Sequence, residues 1–308
     1  MEKYLLTIMG SCLDSFYETD SIPVEGDFSH VRFLKKMAGG CPLNVGAVCA
    51  SKGKKVKALD MLGKEDESTD FLLKEMERLS LDAENIVIKK GVVNGQVLLF
   101  LTKAQRTMFI IDPIRPAFIV DEKMQELLNH AQYIYSLMHM INRSFSSLDP
   151  LIEAKRSGAR IILDGSSKYD DPSRVKILYE LADGLFINET DYERLRHNSE
   201  GEPKDIILSN GGQFVVVTHG SKGSTLYRKD ETLYKEALHL ENPLDPTGAG
   251  DAFAGCFLAC LMEGMSYHKA LSYASVNGAY ACTIPGGTGG VASFETLEAF
   301  AKENGYEL

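Results

Sequence analysis

The chain lacks most of the short patterns that announce a chemistry. Its six cysteines form no CxxC pair, and its seven histidines make no HExxH cluster, so neither a zinc-ribbon nor a zincin-type site is expected. It has no GxxxxGK[ST] loop, no GxGxxG after the first apolar run and no GxSxG elbow. P-loop, dinucleotide-fingerprint and α/β-hydrolase readings are therefore set aside. No stretch approaches the roughly 18 apolar residues of a membrane span. The opening "MEKYLLTIMGSCLD" is too short in apolar length for a signal-peptide core plus cleavage site. An excess of basic charge is missing as well: the formal net charge is −10, which argues against a broad nucleic-acid footprint but leaves room for a local anion pocket. The expectation is a cytoplasmic protein that binds neither nucleic acid nor membrane, with free thiols kept reduced.

What is present is ordinary for a globular enzyme: 308 residues, 44% hydrophobic and 25% charged, enough for one large α/β domain with a small appendage. "YLLTIMG" reads as a buried parallel strand ending in glycine. "PLNVGAVCASKG" is helical in its second half and stops near Gly53, "KVKALDMLG" is a strand, and "DESTDFLLKEMERLS" is a helix with Phe71, Leu72, Met76 and Leu79 on one face. From "DEKMQELLNHA" to "QFVVVTHG" helices and strands alternate, which predicts a mainly parallel sheet covered on both faces. "GQVLLFLT" and "RTMFII" look like a hairpin, as does "GSTLYRKDETLYKEA", and helices over 251–264 and 266–283 close the pattern. Segments about 15–36 and 92–115 are read as short strands that pair into a small separate sheet.

One stretch is chemically unusual. "PTGAGDAFAGCFLACL" (246–261) sets Asp251 at the mouth of an apolar helix, after a turn at Pro246 and Thr247 and the close-approach glycines Gly248 and Gly250. A helix N-terminus favours an anion, so a carboxylate there needs a reason. Asp251 could be a plain N-terminal cap, worth about 1 kcal/mol. Alternatively it faces a hydroxyl that must lose a proton while phosphate sits on the glycine amides, the layout of phosphoryl transfer to an alcohol.

"DPTGAGDAFAGCF" closely resembles the C-terminal signature of the ribokinase-like (PfkB) carbohydrate kinases, and "AGGCPLNVGAVCASKG" (38–53) is similar to their N-terminal signature. "LFINETDYERL" and "VVVTHGSKGS" lie between them in the family's order. The resemblance implies a three-layer α/β/α kinase domain over 1–308, with a β lid closing on a small sugar. It further implies ATP and Mg²⁺, with Asp251 as the base and Gly248, Ala249 and Gly250 as the anion hole. On the acceptor side it implies Asp14, Gly39, Gly40 and Asn44, although Asn44 could serve only as a helix cap. On the nucleotide side it implies Asn188, Thr218, Gly220, Gly223 and Ser275, the last also readable as a small packed residue. Asp191 stands where the family motif Asn-x-x-Glu has Glu, one methylene shorter, and would reach Mg²⁺ through water. Asp245 and Thr247 match positions that hold a monovalent cation such as K⁺ in some members. "GGCPLN" looks fructokinase-like, so a ketose such as fructose leads. A 2-keto-3-deoxygluconate-type sugar acid gripped by Arg106 or Arg115, ribose, a nucleoside, or a non-catalytic sensor on the same scaffold are the alternatives. Exposed lid edges also suggest a homodimer through the lid.

Overall fold

The computed structural model describes residues 3–8, 10–103, 106–165, 172–198 and 201–308. The chain opens with β1 (Leu5–Ile8), β2 (Cys12–Glu18), β3 (Arg32–Gly39), α1 (Cys41–Ala50), β4 (Val56–Leu59), β5 (Met61–Gly63) and α2 (Thr69–Arg78). It continues through β6 (Val87–Lys89), β7 (Gly95–Leu101), β8 (Arg106–Ile111), α3 (Glu122–Asn129), β9 (Tyr133–Leu137), α4 (Met138–Ser144) and α5 (Asp149–Arg156). Then come β10 (Arg160–Asp164), α6 (Pro172–Leu181), β11 (Gly184–Asn188), α7 (Glu189–Asn198), α8 (Pro203–Ser209) and β12 (Phe214–Thr218). The hairpin β13 (Ser224–Arg228) and β14 (Glu231–Lys235) precedes α9 (Ala249–Met262), α10 (Tyr267–Ala281) and α11 (Phe294–Glu303).

The main sheet has the order β14-β13-β12-β11-β10-β9-β1-β4. Strands β4, β1, β9, β10, β11 and β12 run parallel, and the hairpin β13–β14 adds an antiparallel edge. Successive residues of a strand point to opposite faces, and both faces are buried. Leu5, Ile162, Phe186 and Phe214 join α1, α9 and α10 in one core. Leu6, Ile161, Leu185 and Val215 join α3 to α6 in the other. That is why these strands read as unbroken apolar runs rather than alternating ones, and it gives the expected three-layer α/β/α arrangement. The order reverses around β1, between β4 and β9, the position at which open parallel sheets form their crevice.

Helix α9 is apolar all round because it is packed all round. A Cβ at Gly255 would lie 2.8 Å from the Val45 carbonyl oxygen, so the small residue lets α1 approach, and the Cys49 thiol donates to the Gly255 carbonyl at 3.0 Å. Cys256 and Cys260 are fully buried packing residues in this helix.

A second sheet, β3-β2-β7-β8, takes β2 and β3 from 12–39, wider at both ends than the segment 15–36, and β7 and β8 from within 92–115. Several boundaries differ from expectation. "KVKALDMLG" is broken at Asp60 into β4 and β5, because the Asp60 carboxylate binds the backbone N–H groups of Ser11 and Met61. Helix α1 begins at Cys41 with Pro42 in its first turn and runs to Ala50, so the first half of the segment read as half helical is helix too, and a turn over 51–53 ends it. Helices α4 and α11 carry no strong sequence pattern and were not expected; α11 is started by Ser293, whose hydroxyl accepts from the Thr296 N–H. Among the described residues no helix is long and apolar enough to cross a membrane.

Candidate active site

Gly248 adopts φ 76° and ψ 3°, and α9 starts at the next residue. Asp251 is therefore the third residue of the helix and caps nothing, which corrects the capping alternative. Its carboxylate instead accepts a hydrogen bond of 2.7 Å from Asn44 Nδ2, and another from the Cys41 thiol. Burial raises the Asp251 pKa, and these two donors oppose the rise. Asn44 lies inside α1 rather than at its cap, which is Gly40, so the reading of Asn44 as a cap is also corrected. Its Oδ1 is buried without a protein partner. The Ala249 N–H closes a turn onto the Pro246 carbonyl at 3.2 Å, while among the described residues the amides of Gly250 and Asp251 bind no backbone carbonyl. Of the three residues read as an anion hole, Gly250 thus has an unengaged donor.

Asp14 projects from β2 and is 8% exposed. Burial lifts its pKa to about 6; the Cys12 thiol, donating at 3.3 Å, lowers it and the Asp251 charge raises it further. A Cβ on Gly39 would lie 2.1 Å from Asp14 Oδ2, so glycine there makes the space the carboxylate fills. At Gly40 (φ 104°) a Cβ would fall 1.7 Å from the Gly10 carbonyl oxygen, which ties α1 tightly against the end of β1. Asp14, Asn44 and Asp251, far apart in sequence, belong to one crevice.

Beside the first turn of α9 lies a cavity of about 350 Å³. Its polar rim includes Thr218, Gly220, Gly223 and Ser275, its apolar walls include Leu238 and Phe253, and it reaches Ala249 and Gly250. The four residues read as nucleotide-binding at this position therefore share one hollow with the proposed anion hole. Asn188 and Asp191 bond reciprocally at the start of α7: the Asp191 N–H donates to Asn188 Oδ1 at 2.9 Å, and Asn188 Nδ2 to Asp191 Oδ2 at 2.7 Å. Arg194 also binds Asp191, at 2.6 Å.

Asp164, at the end of β10, was missed. Burial pushes its pKa to about 7, the charges of Asp251 and Asp191 add to the rise, and the Tyr135 hydroxyl, donating at 2.8 Å, opposes it. A usable signal existed: β10, β11 and β12 all end on a polar residue (Asp164, Asn188, Thr218) at the same edge of the sheet. Cys12 and Cys41 were missed for want of a motif. Burial and neighbouring carboxylates hold both thiols protonated, so they act as donors.

The two arginines proposed as carboxylate grips are both paired. Arg115 is 7% exposed at the side chain and bonded to Asp60 at 2.7 Å, in the interior. This corrects its reading as a substrate ligand. Arg106 reaches Asp245 at 3.2 Å across the gap between β8 and the loop before α9. Asp245 also accepts from the Thr247 N–H at 2.9 Å, from its hydroxyl, and from the Gly286 N–H at 3.0 Å. Burial raises its pKa, and these bonds together with Arg106 more than reverse that rise.

Comparison with known proteins agrees with this geometry. The family model described as "pfkB family carbohydrate kinase" matches residues 4–292. The chain is 26% identical over 305 residues to a 5-dehydro-2-deoxygluconokinase of Clostridium beijerinckii, covering 92% of this chain and 89% of that protein. It is 22% identical over 308 residues to a deoxyribokinase of Salmonella typhimurium, covering 96% and 97%. Among solved structures, Thermotoga maritima ribokinase superposes with a TM-score of 0.81 at 22% identity, over 97% of this chain and 99% of that one. Arabidopsis thaliana ribokinase complexed with ribose and ATP gives 0.83 at 20% identity, over 98% and 99%. The fold is ribokinase-like, and the chain belongs to the pfkB family of carbohydrate kinases.

Proposed function

We propose that this pfkB-family kinase transfers the γ-phosphoryl group of ATP to a hydroxyl of a small sugar acid, with Asp251 as general base. The observation that carries the reading is the placement of Asp251. A buried carboxylate of raised pKa, aimed by Asn44 and Cys41, sits on the first helical turn between the Asp14 crevice and the cavity at Gly250. The acceptor oxygen attacks the γ-phosphorus, its proton passes to Asp251, and the bond from that phosphorus to the β–γ bridging oxygen breaks to release ADP. The free amide of Gly250 and the dipole of α9 stabilise charge on the group in transit. Asp14 and Asn44, including its unpartnered Oδ1, orient the acceptor hydroxyls. The nucleotide lies along Thr218, Gly220, Gly223 and Ser275.

Among the described residues no group of three His, Cys, Asp or Glu forms a ready metal site. Magnesium in nucleotide sites keeps most of its waters and leans on phosphates. Asp164, repelled by the charges of Asp251 and Asp191, suits it on those terms. When bound it would neutralise phosphate charge, with Asp191 and Asp164 holding its waters. A monovalent cation at Asp245 and Thr247 draws no support from the geometry, since Arg106 already supplies the positive charge there.

The relatives named above act on a deoxy sugar acid and a deoxy sugar by their names, which moves the reading from fructose toward acids. A sensor without turnover is the weaker reading, because the base and its two orienting donors are all present. The small sheet is read as the lid of a single kinase domain. Its outer face carries the ring series Phe33, Tyr17, Phe100 and Phe109 at centroid spacings of 5.8, 5.4 and 5.7 Å. Phe33 and Phe109 are both more than half exposed. We assign that face to a homodimer contact.

The test is ADP release from Mg-ATP against 5-dehydro-2-deoxygluconate, 2-keto-3-deoxygluconate, 2-deoxyribose, ribose and fructose. Acceptor-dependent ADP is expected, strongest with an acid. ATP binding with no release on any acceptor would favour the sensor, and no ATP binding would end the kinase reading.

A further inference from the structure

The underside of the small sheet carries a charge that the site described so far does not use. In the pairing of β2 with β3, Asp14 lies opposite Met37 and Phe16 opposite Lys35. Alternation along the strands therefore puts Asp14, Phe16, Lys35 and Met37 on one face. Through β7 and β8 the same face continues to Leu99, Leu101 and Arg106. Two contacts show that this face looks at the body of the protein. Arg106 reaches Asp245, and Met37 lies so close to Gly286 that a Cβ there would be 2.8 Å from its sulfur. Lys35 sits on the roof between those two anchor points.

The four arginines of this region are neutralised, and Lys36 alternates to the opposite, outer face of β3. Arg106 pairs with Asp245, Arg115 with Asp60, Arg32 with Glu18 and Arg143 with Asp112. Among the described residues Lys35 pairs with no carboxylate. Its ammonium lies 4.9 Å above the Phe16 ring, a contact that holds a cation in place without cancelling its charge. Phe16 is itself 2% exposed, so the platform is rigid. Lys35 is two residues from the partner of Asp14, about 7 Å along the strand, so a six-carbon chain can reach both.

We propose that Lys35 selects an anionic acceptor: its ammonium binds the carboxylate of a sugar acid whose hydroxyl end is held by Asp14 and presented to Asp251. The assignment rests on the kinase reading for where the acceptor lies. It also accounts for an acceptor crevice that otherwise presents mainly carboxylates to an acid. Asp14 and Asp251 meet the hydroxyl end, and Lys35 meets the charged end.

Calorimetry on the protein loaded with a non-hydrolysable ATP analogue tests this, with 5-dehydro-2-deoxygluconate, 2-deoxyribose and fructose 6-phosphate as probes. The wild type should bind the acid at least about tenfold more tightly than the neutral sugar, the gain of one charge-assisted bond. Lys35→Gln should erase that preference and Lys35→Arg should retain most of it, which separates lost charge from a damaged fold. A preference unchanged in Lys35→Gln overturns the assignment. So does a wild type that favours 2-deoxyribose, or one that takes the phosphate ester in place of the acid. ADP release with the same acceptors is read alongside. Acid bound in a Lys35-dependent way without ADP release would sink the kinase reading and leave the Lys35 assignment standing.

Discussion

Asp251 illustrates how one side chain's role depends on neighbours distant in the chain. Its spacing from two glycines suggests either a cap or a base, and the αL conformation of Gly248 removes the cap by starting the helix two residues ahead of it. Asp251→Asn should retain ATP and acceptor binding while kcat falls about 10²- to 10⁴-fold, the usual worth of a positioned general base. Near-normal turnover in steady-state assays would remove Asp251 from the mechanism. Because its pKa is raised, the acid limb of the kcat/KM profile should lie above the ordinary carboxylate range. Gly39→Ala drives a methyl into the Asp14 carboxylate and should raise the acceptor KM at least about tenfold, with ATP KM nearly unchanged. Asp14 and Asp164 also link stability to pH. Their folded pKa values, about 6 and about 7, lie above the ordinary value of 3.8. The folded state therefore holds more protons than the unfolded one between about pH 4 and 7. Their contribution is complete below pH 4 and is lost as pH rises through 6 and 7. Asp164→Asn keeps an acceptor for Tyr135 and should stabilise the protein at pH 8 by on the order of 2 kcal/mol, with little change at pH 4. Thermal melts at the two pH values decide it.

At the scale of elements, the small sheet is fastened at its roots by the buried Asp60 and the half-buried Asp66. Asp60, at the end of β4, accepts from the Ser11 N–H at 2.9 Å where the chain enters β2, and from Arg115 at 2.7 Å just after it leaves β8. Asp66 accepts from the Asn94 N–H at 2.9 Å before β7 begins. Removing one member of a buried ion pair leaves the other charged and unpaired, at a cost of about 3–5 kcal/mol. Arg115→Met should therefore destabilise strongly in urea titration, and the double change with Asp60→Asn should cost less than Arg115→Met alone. A single variant no worse than the double would show that the pair is not the anchor. The pairing also explains why Arg115 was misread. A cation near the expected crevice looks available in sequence, and only the crossing of β4 with the chain after β8 reveals its partner. Helix α9 was legible by contrast, since an apolar run without a polar stripe requires burial on all sides.

For the whole molecule, the three layers follow from strand runs buried on both faces, and the proposed dimer contact follows from what those layers leave uncovered. The ring series on the outer face of the small sheet is an apolar surface that no other described segment covers. If it is the dimer contact, Phe109→Glu should yield a monomer by sedimentation and leave the melting temperature of the main sheet little changed. A wild type that is already monomeric at high concentration would dismiss the contact.

The sequence by itself determined the fold class, most of the strand–helix alternation and the family, because apolar periodicity and two glycine-rich signatures are local and survive without knowledge of contacts. It also singled out Asp251, Gly250 and Asn44 as candidates. Tertiary structure alone decided what each one touches: that Asn44 and Cys41 aim Asp251, that Asp164 lies beside Asp251 and Asp191, and that Arg115 is spent on Asp60 while Lys35 meets no carboxylate among the described residues. Those outcomes depend on strand order and on the charge balance across contacts between distant segments, such as the 207 residues between Asn44 and Asp251. No local pattern encodes such pairings.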